Sequence, residues 1–170
     1  MTERRYPIGP FSPPASIDGA QLARWIDEIA QLPARLRATL AELDPALLER
    51  PYREGGWTRR QVVHHLADSH TNSLVRNKWA LTEERPTIKA YDEVAWAELA
   101  DVRDVPLDTA LAFLDALHAR WVALLRSLSP ADLQREFVHP VSGPVRLDVN
   151  VGVYAWHGRH HLAHLLLPDC

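Results

Sequence analysis

Val149-Asn-Val-Gly-Val-Tyr-Ala-Trp-His-Gly-Arg-His-His-Leu-Ala-His-Leu-Leu-Leu167 is the stretch on which the fold turns. Four of the chain's nine histidines fall within eight of these residues, His157 to His164. Val153, His157, His160, His164 and Leu167 recur in steps of three and four, the inward stripe of a helix in a bundle. Each helical residue turns about 100°, so His160 and His164 stand about 40° apart and one turn along the axis, where both imidazoles can meet one ion. His157 and His161 share that geometry, and spacing alone does not choose between the pairs. His161 falls nearer the edge of the stripe.

Working back from this helix, Phe137 to Leu147 reads as a small hairpin. Leu111, Leu114, Leu117, Trp121, Leu124, Leu125 and Leu128 mark a third helix that ends near Ser129-Pro130, with Pro106 suited to its first position. Thr82 to Asp104 is a structured connection with short helical turns around Trp96 and Leu99. A second helix, Arg59 to Leu81, starts at a capping box formed by Thr58 and Gln61. From Ile17 to Leu43 apolar residues again recur at helical spacing, with Pro33 expected to kink or divide the helix. Residues 1–15, rich in proline, read as an extended surface arm. Four long amphipathic helices with short connecting helices predict an all-α four-helix bundle, one domain over residues 1–170.

The 170 residues, 46% of them hydrophobic, suffice for one sizeable core. With 19 basic and 22 acidic side chains and a net charge of -3, no electrostatic footprint for nucleic acid or anionic lipid emerges. No stretch reaches membrane-spanning length and no signal peptide is evident, so a cytoplasmic location is expected. Cys170 is the sole cysteine, which excludes an internal disulfide and a thiolate zinc knuckle and makes this terminal thiol incidental.

Two histidines hold a catalytic metal poorly, and such sites usually take about three protein ligands and leave a position for water. The second helix offers the third: His65 shares a sector with Val62, Leu66 and Ser69, whereas His64 lies about 100° away and is expected to be more exposed. Asp68 is placed to accept from an imidazole N–H. Imidazoles with water suit zinc, nickel, cobalt or iron.

Tyr6-Pro-Ile-Gly9, Pro51-Tyr-Arg-Glu-Gly-Gly-Trp-Thr58, Gln61-Val-Val-His-His-Leu-Ala-Asp-Ser-His70, Tyr91-Asp-Glu93 with Trp96, Leu117-His-Ala-Arg-Trp121 and the run from Trp156 to His164 occur in that order. Together they resemble the DinB superfamily, and within it the YfiT-like branch of metal-dependent hydrolases and bacillithiol S-transferases. The resemblance implies a four-helix bundle, a homodimer, and zinc or nickel held by one histidine of the second helix and two of the last, here His65, His160 and His164. The chain ends at Leu167-Pro-Asp-Cys170, shorter than that branch's usual tail.

Two reactions are open to such a site. A metal-bound water, its pKa lowered to about 7, can hydrolyse a substrate, or a metal-bound thiolate can attack an electrophile. No Ser-His-Asp arrangement or paired carboxylate is evident, and a thiolate needs no general base, so transfer of a small thiol of the bacillithiol type is the preferred expectation. A non-catalytic metal that only cross-links helices is the rival from another class. Around the site, His161 is a candidate to orient water or substrate, His157 an alternative ligand, Arg120 a contact for an anionic thiol, and Trp57 and Trp156 packing anchors.

Overall fold

The computed structural model describes residues 4–168, so Cys170 lies outside the described residues. Asp18 opens the first long helix, α1 (Gly19–Glu42), its carboxylate accepting from the Gln21 N–H at 2.6 Å. Pro33 stands inside this helix without dividing it, contrary to one of the two outcomes expected. Proline has no N–H, so the Ile29 carbonyl, four residues earlier, loses its helical donor.

The capping box is formed as the sequence predicts: Thr58 Oγ1 accepts from the Gln61 N–H at 3.1 Å, and Gln61 Oε1 accepts from the Thr58 N–H at 2.8 Å. It starts α2 (Arg59–Thr82). Two short helices, α3 (Glu93–Ala97) and α4 (Ala100–Asp104), lead to α5 (Leu107–Arg126). Pro106 is the residue before that helix rather than its first, because its ψ of 143° is extended. After α6 (Pro130–Leu133), strands β1 (Glu136–His139) and β2 (Gly143–Arg146) pair antiparallel as the predicted hairpin. The last helix, α7 (Leu147–Leu165), begins two residues before the expected Val149.

Helices α1, α2, α5 and α7 form the four-helix bundle. Both α1 and α2 pack on α5 and α7, which sets α1 and α2, consecutive in sequence, across the bundle from each other. Their apolar stripes close a core that includes Trp25, Ile29, Leu36, Leu66, Leu114, Trp121, Leu125 and Leu162. Helix α7 comes especially close to α1: a Cβ on Gly152 would stand 2.8 Å from the Trp25 ring and one on Gly158 2.9 Å from Leu32.

Arg59, fully buried, ties the start of α2 to the end of α7. Its guanidinium donates to the carbonyls of Leu165 and Leu167 at 3.2 and 2.8 Å, and to those of Leu47 and Arg50. Carbonyls that the helix end leaves unpaired thereby find donors. This clamp brings the first turns of α2 beside the last turns of α7. His64, expected to be more exposed, is buried at 7% exposure, because α4 and its flanks cover that side of α2.

The N-terminal arm is not merely extended over the surface. Gly9 N–H donates to the Tyr6 carbonyl at 3.0 Å in a turn, Trp156 Nε1–H donates to the Gly9 carbonyl at 3.0 Å, and Arg4 donates to the carbonyls of Tyr52 and Pro168. The arm is thus stapled across α7. Among the described residues no helix is long and apolar enough to cross a membrane.

Candidate metal centre

Beside the clamp, His65 of α2 meets the histidines of α7. His157 Nε2 lies 3.2 Å from His65 Nε2 and 3.2 Å from His161 Nε2. The donor atoms of these three residues all fall within 4.8 Å of one another, close enough to share an ion. A second group, His160, His161 and His164, meets the same criterion but lies on α7 alone. The structure therefore groups His65 with His157 and His161, not with His160 and His164 as the resemblance implied. His161, placed by the sequence at the edge of the inward stripe, is buried.

Hydrogen-bond directions are set by two backbone carbonyls, which can only accept. Ile29 O, freed by Pro33, lies 2.7 Å from His118 Nδ1, so that nitrogen carries the proton. A neutral imidazole has one N–H. His118 Nε2 accordingly accepts from His70 Nδ1 at 3.0 Å, and His70 Nε2 accepts from His157 Nδ1 at 3.1 Å. His157 Nε2 is left bare. On the other side, Arg5 O lies 3.3 Å from His164 Nε2, so His164 Nδ1 accepts from His161 Nδ1 at 3.2 Å. His161 Nε2 is left bare as well.

All these rings are held neutral. Burial, together with the fields of neighbouring imidazoles, depresses His70, His157 and His161 well below the usual imidazole pKa. His118 is lowered by burial, against the raising influence of its bond to Ile29. His65 falls to about 4, through burial first and then the fields of His160 and His164. Two bare nitrogens 3.2 Å apart, kept from protonation by burial, repel unless a cation lies between them. A tetrahedral zinc with Zn–N bonds of about 2.0–2.1 Å has N···N edges of roughly 3.3–3.4 Å, so the donor set fits the ion.

A cavity of about 460 Å³ opens in front of this cluster, lined by Arg5, Tyr6, Tyr52, Arg53, Trp57 and Glu93 besides the histidines. Trp57 lies 4.6 Å from the His65 ring and stacks at 6.5 Å on that of His161, and it lines the cavity. Trp156 stacks on His160 at 4.5 Å, and Tyr52 on His164 at 4.0 Å. Asp68 is half-buried, its carboxyl raised to about 6 by burial and by Asp101, but no hydrogen bond joins it to an imidazole among the described residues. The orienting role expected of Asp68 toward an imidazole is filled by His70. Arg120 is exposed on α5 and lines neither this cavity nor the one beyond His157, which corrects its expected contact with a thiol. His70 and His118 were overlooked as site residues, although both continue the core stripes of their helices, His70 four residues after Leu66 and His118 four after Leu114.

The fold and the centre together define a four-helix bundle built around a histidine cluster, and the DinB superfamily model matches residues 21–165. The chain belongs to the DinB superfamily. It is 53% identical over 165 residues, 97% of this chain and 95% of the relative, to a Bacillus mycoides protein named for a proposed metal-dependent hydrolase activity. The solved structure of YfiT from Bacillus subtilis, described as "a probable metal-dependent hydrolase with an unusual four-helix bundle topology", superposes with a TM-score of 0.91 at 46% identity, covering 95% of this chain and 93% of that one. The four-helix bundle protein TT2238 shares the fold alone, with a TM-score of 0.60 at 23% identity over 83% of this chain and 94% of its own.

Proposed function

We propose that the chain is a metal-dependent enzyme in which His65, His157 and His161 hold one divalent cation, zinc or nickel, through Nε2. The observation that carries this reading is the contact between the bare nitrogens of His157 and His161, which a shared cation relieves. Three protein donors beside an open cavity suit a catalytic ion better than a structural zinc, which four side chains usually close. The ion would supply a Lewis-acid position at which water or a thiol sheds its proton.

The chain's own residues shape what enters. Trp57 shields the His65 and His161 rings on one side, while Arg5 and Arg53 bring positive charge to the mouth. Of the two reactions, transfer of a small thiol of the bacillithiol type to an electrophile is our reading, because a bound thiolate is already a nucleophile and asks no base of the protein. Hydrolysis is favoured by the relatives' names, and Glu93 on the cavity wall is the carboxylate that would serve it as a base. Zinc-loaded and nickel-loaded protein should consume bacillithiol in the presence of a chromogenic aryl halide. If thiol consumption stays at the uncatalysed rate while an ester substrate is cleaved, the hydrolase reading takes its place. Neither activity would leave the metal a structural role.

A further inference from the structure

Helix α2 carries two buried arginines with opposite circumstances. Arg59 reaches four carbonyl acceptors. Arg76 is 8% exposed, its Nε is buried without any partner, and among the described residues no hydrogen bond or ion pair engages its guanidinium. A buried N–H with no acceptor is costly, so natural folds rarely leave one unmatched.

Arg76 lines a second cavity, of about 570 Å³, with Ser69, Tyr91, His139, Asn150 and Tyr154. This cavity shares His157 and Glu93 with the one in front of the candidate metal centre. His139, at the end of β1, supplies a donor whose direction is set: its Nδ1 accepts the N–H groups of Val141 and Ser142 at 3.2 and 3.4 Å, so a neutral ring carries its proton on Nε2. The Arg76 charge, after burial, lowers the His139 pKa, which places the two groups in one electrostatic neighbourhood. Of the two acids on the wall, both exposed, Asp92 accepts from the N–H groups of Val94 and Ala95 through one oxygen, Oδ1.

We propose that Arg76 and His139 form an oxyanion subsite that grips the carboxylate or phosphate of an acidic small molecule, and thereby names the substrate class of the enzyme. A planar guanidinium presents its N–H groups as a fork matched to either anion. Binding of the anion stands on Arg76 and His139; its use as the grip on substrate rests on the metal-centre reading above.

Inorganic phosphate is the probe. Titrated into metal-free protein, it should raise the thermal midpoint saturably and shift the NMR signals of Arg76 and His139. Arg76→Gln should abolish both responses, and His139→Leu should weaken binding about 10–100-fold, the worth of one hydrogen bond to a charged group. An equal phosphate response in wild type and Arg76→Gln overturns the subsite. Should Arg76→Gln fail to fold, Arg76→Lys, which keeps the charge but not the fork, takes its place, with weakened binding supporting the proposal and unchanged binding opposing it. Phosphate binding that persists in His157→Ala while metal is lost shows the two readings to be separable. If both stand, Arg76→Lys should raise KM for an acidic substrate several-fold at unchanged kcat, and a loss confined to kcat would count against the grip.

Discussion

Two histidine pairs on α7 have the same four-residue spacing and different surroundings. His157 and His161 turn toward His65 on α2, whereas His160 and His164 turn toward the N-terminal arm and the aromatic rings of Trp156 and Tyr52. The first pair gathers three nitrogens from two helices. In the second, His164 is already spent on the Arg5 carbonyl and on His161, and among the described residues the buried His160 Nδ1 has no partner. Equal spacing, then, does not make equal ligands; what differs is which nitrogen each ring's other hydrogen bond leaves bare.

The largest effect should separate the pairs outright. His157→Ala and His65→Ala should lose stoichiometric metal by elemental analysis, while His160→Ala keeps it. The reverse pattern would transfer the centre to the second pair. Next comes the relay behind His157. His70→Phe removes the acceptor of the His157 Nδ1–H and should weaken zinc binding about 10–100-fold in competition with a chromophoric chelator, the usual cost of losing such a partner. His70→Gln, whose amide oxygen can still accept, should recover most of that loss. Equal damage from both variants would mean that packing, not the hydrogen bond, was disturbed.

Acid should act on the metal-free protein with a definite sign. His65, His160 and His164 resist protonation until about pH 4, while unfolded imidazoles take up protons near 6.5. Between these values the unfolded state binds more protons, so stability rises with pH across the window and is fully present above it. Thermal midpoints measured from pH 6.5 down to 4 should therefore fall, and a flat profile would mean that water reaches the rings. The smallest effect belongs to His160→Ala, which should change zinc affinity no more than a few-fold, since its ring meets the centre only through its neighbours.

Much of this was legible along the chain. The Thr58 to Gln61 box, the apolar stripes and the density of histidines in one helix led to the bundle, and the sector shared with Val62 and Leu66 picked out His65. The choice between the α7 pairs was not legible because that helix is covered on nearly every side, by α1, by α2 and by the arm, so a stripe marks no preferred face. His64 misled for the same reason: its sector looks outward on α2 alone and is closed by α4 and its flanks. Pro33 signals only a local kink or division along the chain, and its consequence lies in α5, at His118.

Local chemistry along the backbone, in caps, periodicity and residue type, was enough to dictate four helices and a supply of imidazoles. Which imidazoles converge, and which nitrogen of each is free to bind, was decided only when α2, α5, α7 and the arm came together. A ring's tautomer answers to the acceptor across from it, and here those acceptors are carbonyls of Ile29 and Arg5, 89 and 159 residues from the side chains that read them.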